Sequence, residues 1–80
     1  METKKKKVHK YTAFFEASED GGYTVTIPAL PGLVTEGKDL EHAQTNTNDA
    51  ARYYIESRKK AKESVPVERE LAQVKISIVS

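Results

Sequence analysis

From Val8 to Ala17 the side chains alternate in character, with Tyr11, Ala13, Phe15 and Ala17 on one side and Thr12, Phe14 and Glu16 on the other. A period of two marks a half-buried strand. The turn EDGGY follows, where Asp20, Gly21 and Gly22 take the positive φ values of a tight hairpin at little steric cost. A second strand running to Ile27 sets Tyr23, Val25 and Ile27 against Thr24 and Thr26, so the two apolar rows share one face of an antiparallel pair. Pro28 has no amide hydrogen to give to a ladder, and PALPG then bends the chain, with Pro31 fixing φ and Gly32 free to turn. LVTE predicts a short third strand, broken again at Gly37.

Asp39 reads as a helix N-cap, its carboxylate placed to accept from free first-turn amides, with Glu41 near the positive end of the dipole. The helix is expected to begin at Leu40. Leu40, Ala43, Thr47, Ala50 and Tyr54 recur at intervals of three and four, and Ala51 and Ile55 widen that core-facing stripe. Its middle, TNTND, consists of poor helix formers, so packing on the sheet must hold it. The charged run IESRKKAKES predicts solvated final turns, and Pro66 prevents the helix from going much further. Beyond a polar connector, QVKISIV alternates Val74, Ile76 and Ile78 with Lys75, Ser77 and Val79, which predicts a last strand.

The expected fold is therefore α+β, in the order β-β-β-α-β. A right-handed helical crossover would lay the last strand parallel to the first, in a mixed four-stranded sheet of order 3-2-1-4 covered on one face by the helix. The uncovered face, with Phe14 and Val79 among threonines, and the open sheet edges lead to an expectation of self-association.

Eighty residues make one small domain of modest stability. Residues 1–7 read as a flexible lysine-rich tail and 8–80 as the domain. The net charge of +1 conceals an uneven distribution. Residues 1–10 carry five lysines and one glutamate, residues 11–50 one lysine against seven acids, and residues 51–80 seven bases against four acids. The strand-and-turn half is acidic. No cysteine is present, which removes disulfides, thiolate metal sites and cysteine nucleophiles, and fits a reducing compartment such as the cytoplasm. No apolar run approaches the roughly 18 residues that span a bilayer.

Candidate chemistry is sparse. Glu16, Glu19 and Asp20 invite a metal-dependent nuclease reading, but solvated turn residues explain the cluster. His9 and His42 read as surface residues, with no spacing that suggests a zinc site. No serine or threonine sits in a nucleophile elbow, and the glycines form no phosphate-cradling loop because Gly21 and Gly22 precede a strand. No catalytic residue, metal ligand or cofactor is assigned. A nucleic-acid-binding alternative rests on Lys4 to Lys7 and on the helix end RKKAK.

The stretch GGYTVTIPALPGLVTEGKDLEHA resembles the HicB-like antitoxins. The likeness is carried by Gly21, Gly22, Tyr23, Pro28, Leu30, Pro31, Gly32, Thr35, Gly37, Leu40, Glu41 and Ala43, with weaker similarity from Tyr11 to about Glu56. Gly21, Gly22, Pro28, Pro31, Gly32 and Gly37 form its turns. The resemblance implies a partial ribonuclease H-like fold. It also implies a non-enzymatic antitoxin of a toxin-antitoxin system, dimeric or tetrameric in the cytoplasm, that occludes a small HicA-like mRNA-cleaving toxin. Two departures stand out: Ala29, where many relatives carry Asp, and the expected lack of a C-terminal DNA-binding segment, which leaves DNA binding unassigned. Charge and exposure place the toxin contacts around Glu16, Asp20, Tyr23, Pro31 and Glu36.

Overall fold

The structure is a computed structural model that describes residues 7–80. Most of the expected lysine-rich tail, and with it Lys4 to Lys6, lies outside the described residues. The chain is α+β: strands β1 (Phe14–Ala17), β2 (Tyr23–Thr26) and β3 (Val34–Gly37) precede helix α1 (Leu40–Lys60). The strands form an antiparallel meander of order β1-β2-β3, with Phe15 opposite Val25 and Val25 opposite Thr35. The helix packs against β3 and β2 on the face that carries this row.

The first strand is shorter than its alternation predicts. Pairing with β2 stops at Phe14 and Thr26. Continuing the same register would bring Thr12 to Pro28, which has no N–H to donate, so residues 8–13 have no ladder to join.

The PALPG segment supplies the core. Leu30 N–H donates to Ile27 O at 2.9 Å and Leu33 N–H to Leu30 O at 3.1 Å, which makes two successive turns hinged on Leu30. Turns of this kind bring every third residue to one side. Ile27, Leu30 and Leu33 accordingly form the buried cluster, with Tyr11, Ala13, Ala50, Ala51 and Tyr54 packed around it. Pro28, Pro31 and Gly32 face outward, and Gly32 provides the positive φ of +85° that closes the second turn.

Asp39 caps the helix as expected, accepting from His42 N–H at 2.7 Å. The His42 ring returns the contact, its Nδ1 accepting from Lys38 N–H at 3.0 Å, much as a glutamate does in a capping box. The expected stripe holds from Ala43 through Thr47, Ala50, Ala51 and Tyr54, and only its first member falls outside the core. Leu40 is half exposed, and Ala43 and Thr47 are the buried helix residues, because Gly37 allows the helix to touch β3 at Ala43. A Cβ at Gly37 would fall onto the Ala43 backbone.

The helix closes in a Schellman arrangement: Glu63 N–H donates to Arg58 O and Lys62 N–H to Lys59 O, with Lys62 left-handed at φ +58°. Beyond it the expected fourth strand is not formed. Among the described residues none pairs with 73–79, and Val74, Ile76, Ile78 and Val79 stand exposed. Alternation equips this segment for a sheet, but no strand among the described residues lies alongside it to take up its N–H and C=O groups. The described residues thus form a three-stranded sheet in place of the mixed 3-2-1-4 arrangement.

Candidate partner-binding site at the hairpin end of the sheet

The hairpin tip is ordered by its own polar groups. Ser18 N–H donates to Gly22 O at 2.8 Å, and Gly21 N–H, at φ +91°, to Ser18 O at 3.2 Å. Asp20 Oδ1 accepts from the Ser18 hydroxyl at 2.7 Å and from Gly22 N–H at 3.2 Å. These donors favour the charged carboxylate and hold Asp20 below its ordinary value, so the tip is anionic at neutral pH.

Tyr23, Glu36 and Gly37 lie beside this tip, next to the start of α1. With Ser18, Asp20 and Gly22 from the hairpin and Lys38, His42 and Asn46 from the helix entry, they line an open groove of about 480 Å³. Asn46 Nδ2 donates to Glu36 O at 2.8 Å and lies 3.3 Å from His42 Nε2, which binds the helix to the strand along the groove wall. On the face opposite the helix, Glu16, Thr24 and Glu36 form one cross-strand row. The two glutamates are exposed and about 10 Å apart, two strand spacings.

The structure therefore gathers Asp20, Tyr23 and Glu36 into one groove and sets Glu16 on the adjoining sheet face. Pro31 stands elsewhere, in the connection at the other end of the sheet, where its carbonyl accepts from the Tyr54 hydroxyl at 3.3 Å. His42 and Asn46 were missing from the sequence-derived site. Their i, i+4 spacing beside the Asp39 cap was the available signal.

The other expectations can be placed as well. Arg58, the first base of RKKAK, is engaged within the fold: Nη2 donates to the Tyr54 hydroxyl at 2.9 Å, Nη1 to Ser64 O at 3.3 Å, and the guanidinium lies 5.2 Å from the Tyr54 ring centroid. That leaves Lys59, Lys60 and Lys62 exposed. His9 is half-buried, its ring stacked on Tyr11 at 6.4 Å, whereas His42 is exposed as expected. Among the described residues, no group of three or more His, Asp or Glu side chains is gathered where a metal ion could sit, and no helix is long and apolar enough to cross a membrane.

Comparison with known proteins gives this surface its context. Residues 11–78 match the family model described as the HicB_like antitoxin of bacterial toxin-antitoxin systems. A UPF0150 protein of Thermoplasma acidophilum is 49% identical over 57 residues, which cover 71% of this chain and 83% of the relative. A UPF0150 protein of Archaeoglobus fulgidus is 30% identical over 66 residues, covering 82% and 96%. One from Synechocystis is 36% identical over 63 residues, covering 79% and 80%. The match spans the strands, the proline turns, the capped helix and the segment beyond it, and the chain belongs to the HicB-like antitoxin family.

Proposed function

We propose that this protein is an antitoxin that acts by binding, without chemistry of its own, and that its partner is a small, basic, HicA-like mRNA-cleaving toxin in the cytoplasm. The observation that carries the reading, beyond family membership, is the anionic end of the sheet: Asp20 and Glu36 at the groove, with Glu16 at its margin. A ribonuclease that cleaves mRNA must attract phosphates with cationic side chains. A protein surface offering fixed carboxylates competes for those same side chains. It also speeds encounter through long-range attraction.

Rigidity supports this role. The Asp20 carboxylate is held by two hydrogen bonds, and the Glu36 backbone is held by Asn46, so little ordering entropy is spent on binding. Tyr23, half-buried, lines the same groove. Occlusion of the toxin's RNA-binding surface then needs only shape and charge.

The direct test is co-expression with a small HicA-like toxin, followed by co-purification and an mRNA-cleavage assay. The wild-type chain should suppress cleavage. Glu36→Lys, exposed and with no side-chain partner among the described residues, should weaken that suppression with no loss of folding. Cleavage that continues in the presence of excess wild-type protein would refute the proposal.

A further inference from the structure

Two backbone groups decide how the polar side chains of the groove wall are set. The Glu36 carbonyl accepts from Asn46 Nδ2 at 2.8 Å, so the amide nitrogen, and not the amide oxygen, faces β3. Lys38 N–H donates to His42 Nδ1 at 3.0 Å, so Nδ1 is the unprotonated nitrogen of the ring and Nε2 carries the hydrogen. The 3.3 Å contact between Asn46 Nδ2 and His42 Nε2 then brings two donors together and is no hydrogen bond. The opposite tautomer would mend it only by setting Nδ1–H against Lys38 N–H, a shorter contact whose backbone donor cannot rotate away.

The outcome is a pair of N–H groups, Nε2–H of His42 and the second N–H of Asn46, side by side with no acceptor among the described residues. Both side chains line the open groove that also holds Asp20 and Glu36. Two donors this close are satisfied together by one oxygen, since a carbonyl has two lone pairs. The carboxylates in the same groove disfavour a negative charge on that oxygen and favour positive charge on its neighbours. A neutral carbonyl therefore fits where a carboxylate or phosphate is repelled.

We propose that His42 and Asn46 together receive one neutral carbonyl oxygen of the toxin, from its main chain or a side-chain amide, on a loop whose flanking lysine or arginine residues meet Asp20 and Glu36. The proposal rests on the toxin-binding reading and gives it direction. Charge alone draws a basic surface towards the groove, whereas a contact between two donors and one acceptor fixes which part of that surface enters. His42 thus has two roles carried by different atoms: Nδ1 holds the start of α1, and Nε2–H faces the partner. Glutamine at this position has atoms for both, an oxygen to accept from Lys38 N–H and an NH2 to donate. Glutamate has atoms for the first alone, and its charge is favourable near the helix N-terminus.

The test is calorimetric titration of a HicA-like toxin with the full chain and its variants, with the helical spectrum and unfolding midpoint recorded for each. His42→Glu should fold at least as stably as wild type yet bind about tenfold more weakly, although it adds a negative charge towards a basic partner. Attraction between charges alone predicts the reverse. His42→Gln should recover most of that loss. Nitrogen-15 spectra of the imidazole in the toxin-free protein should place the proton on Nε2. Three results overturn the inference: His42→Glu binding at least as tightly as wild type, His42→Gln binding as weakly as His42→Glu, or a toxin-free protein with the proton on Nδ1. Each of these leaves the toxin-binding reading standing, whereas a wild type that does not bind the toxin removes both.

Discussion

The hydroxyls of Thr35 on β3 and Thr47 on α1 lie 2.7 Å apart, and Thr47 Oγ1 also donates to Ala43 O at 2.7 Å. Because the one Thr47 hydroxyl proton is committed to Ala43, Thr35 must be the donor in the shared bond. Thr47 is a poor helix former retained inside the helix, buried, with its polar atom fully engaged. Replacing it with valine keeps the shape and strands the Thr35 hydroxyl, at a cost of about 1–2 kcal/mol in urea unfolding. The double replacement Thr35→Val with Thr47→Val should cost less than the two single changes combined. Strict additivity would mean the two hydroxyls are not coupled.

Gly37 governs how closely the helix approaches the sheet. A Cβ there collides with the Ala43 backbone and lies 2.8 Å from its Cβ, and backbone cannot swing aside as a long side chain can. Gly37→Ala should cost about 3 kcal/mol or more. At Gly32 the space is open, and only the φ of +85° resists a side chain. Gly32→Ala should therefore cost nearer 1 kcal/mol. Equal costs in chemical denaturation would contradict this account of the contact.

Lys62 occupies the left-handed position of the helix stop, where glycine carries no Cβ penalty. Lys62→Gly should stabilise the fold by about 0.5–1 kcal/mol, visible as a raised denaturation midpoint with an unchanged slope. A lowered midpoint would show that the lysine side chain contributes more than its backbone conformation costs.

The anchor between the start of the sheet and the segment after the helix should respond to alkali. Burial raises the Tyr11 phenol above its ordinary value of 10.0, and the Glu68 carboxylate adds to the shift. The unfolded chain therefore gives up this proton at lower pH than the folded chain. This contribution to stability is complete below pH 10.0 and is lost as pH rises through the higher folded-state value. Tyr11→Phe should be less stable at neutral pH by about 1 kcal/mol and should show a flatter decline above pH 10.0. Parallel alkaline profiles for the two proteins would separate Tyr11 from the effect.

Much of the architecture is legible in the residues. Alternation and the glycine and proline positions mark three strands and their turns, and Asp39 marks the start of the helix. The PALPG stretch is only half legible. Its prolines suggest a displayed loop, yet Ile27, Leu30 and Leu33 recur every third residue, and two consecutive turns fold that row into the core. A spacing of three over two repeats is too short to separate a turn from a helix by pattern alone. The acids of the candidate site are readable as charges. Their grouping depends on register, which sets Glu16 and Glu36 either side of Thr24 and leaves Pro31 at the far end. Residues 73–79 show the remaining gap: alternation marks them as a strand candidate, but period alone does not name the neighbour a strand must pair with, and among the described residues none pairs with them.

The central claim is that carboxylates at the hairpin end of the sheet recognise a basic ribonuclease. Calorimetric titration of a HicA-like toxin with wild-type protein and with Asp20→Lys combined with Glu36→Lys, each at low and high salt, tests it most directly. We expect wild-type binding that weakens with salt, and a double variant that stays folded but binds at least about a hundredfold more weakly, roughly tenfold for each reversed charge. A double variant that binds as tightly as wild type, with the same salt dependence, would contradict the account.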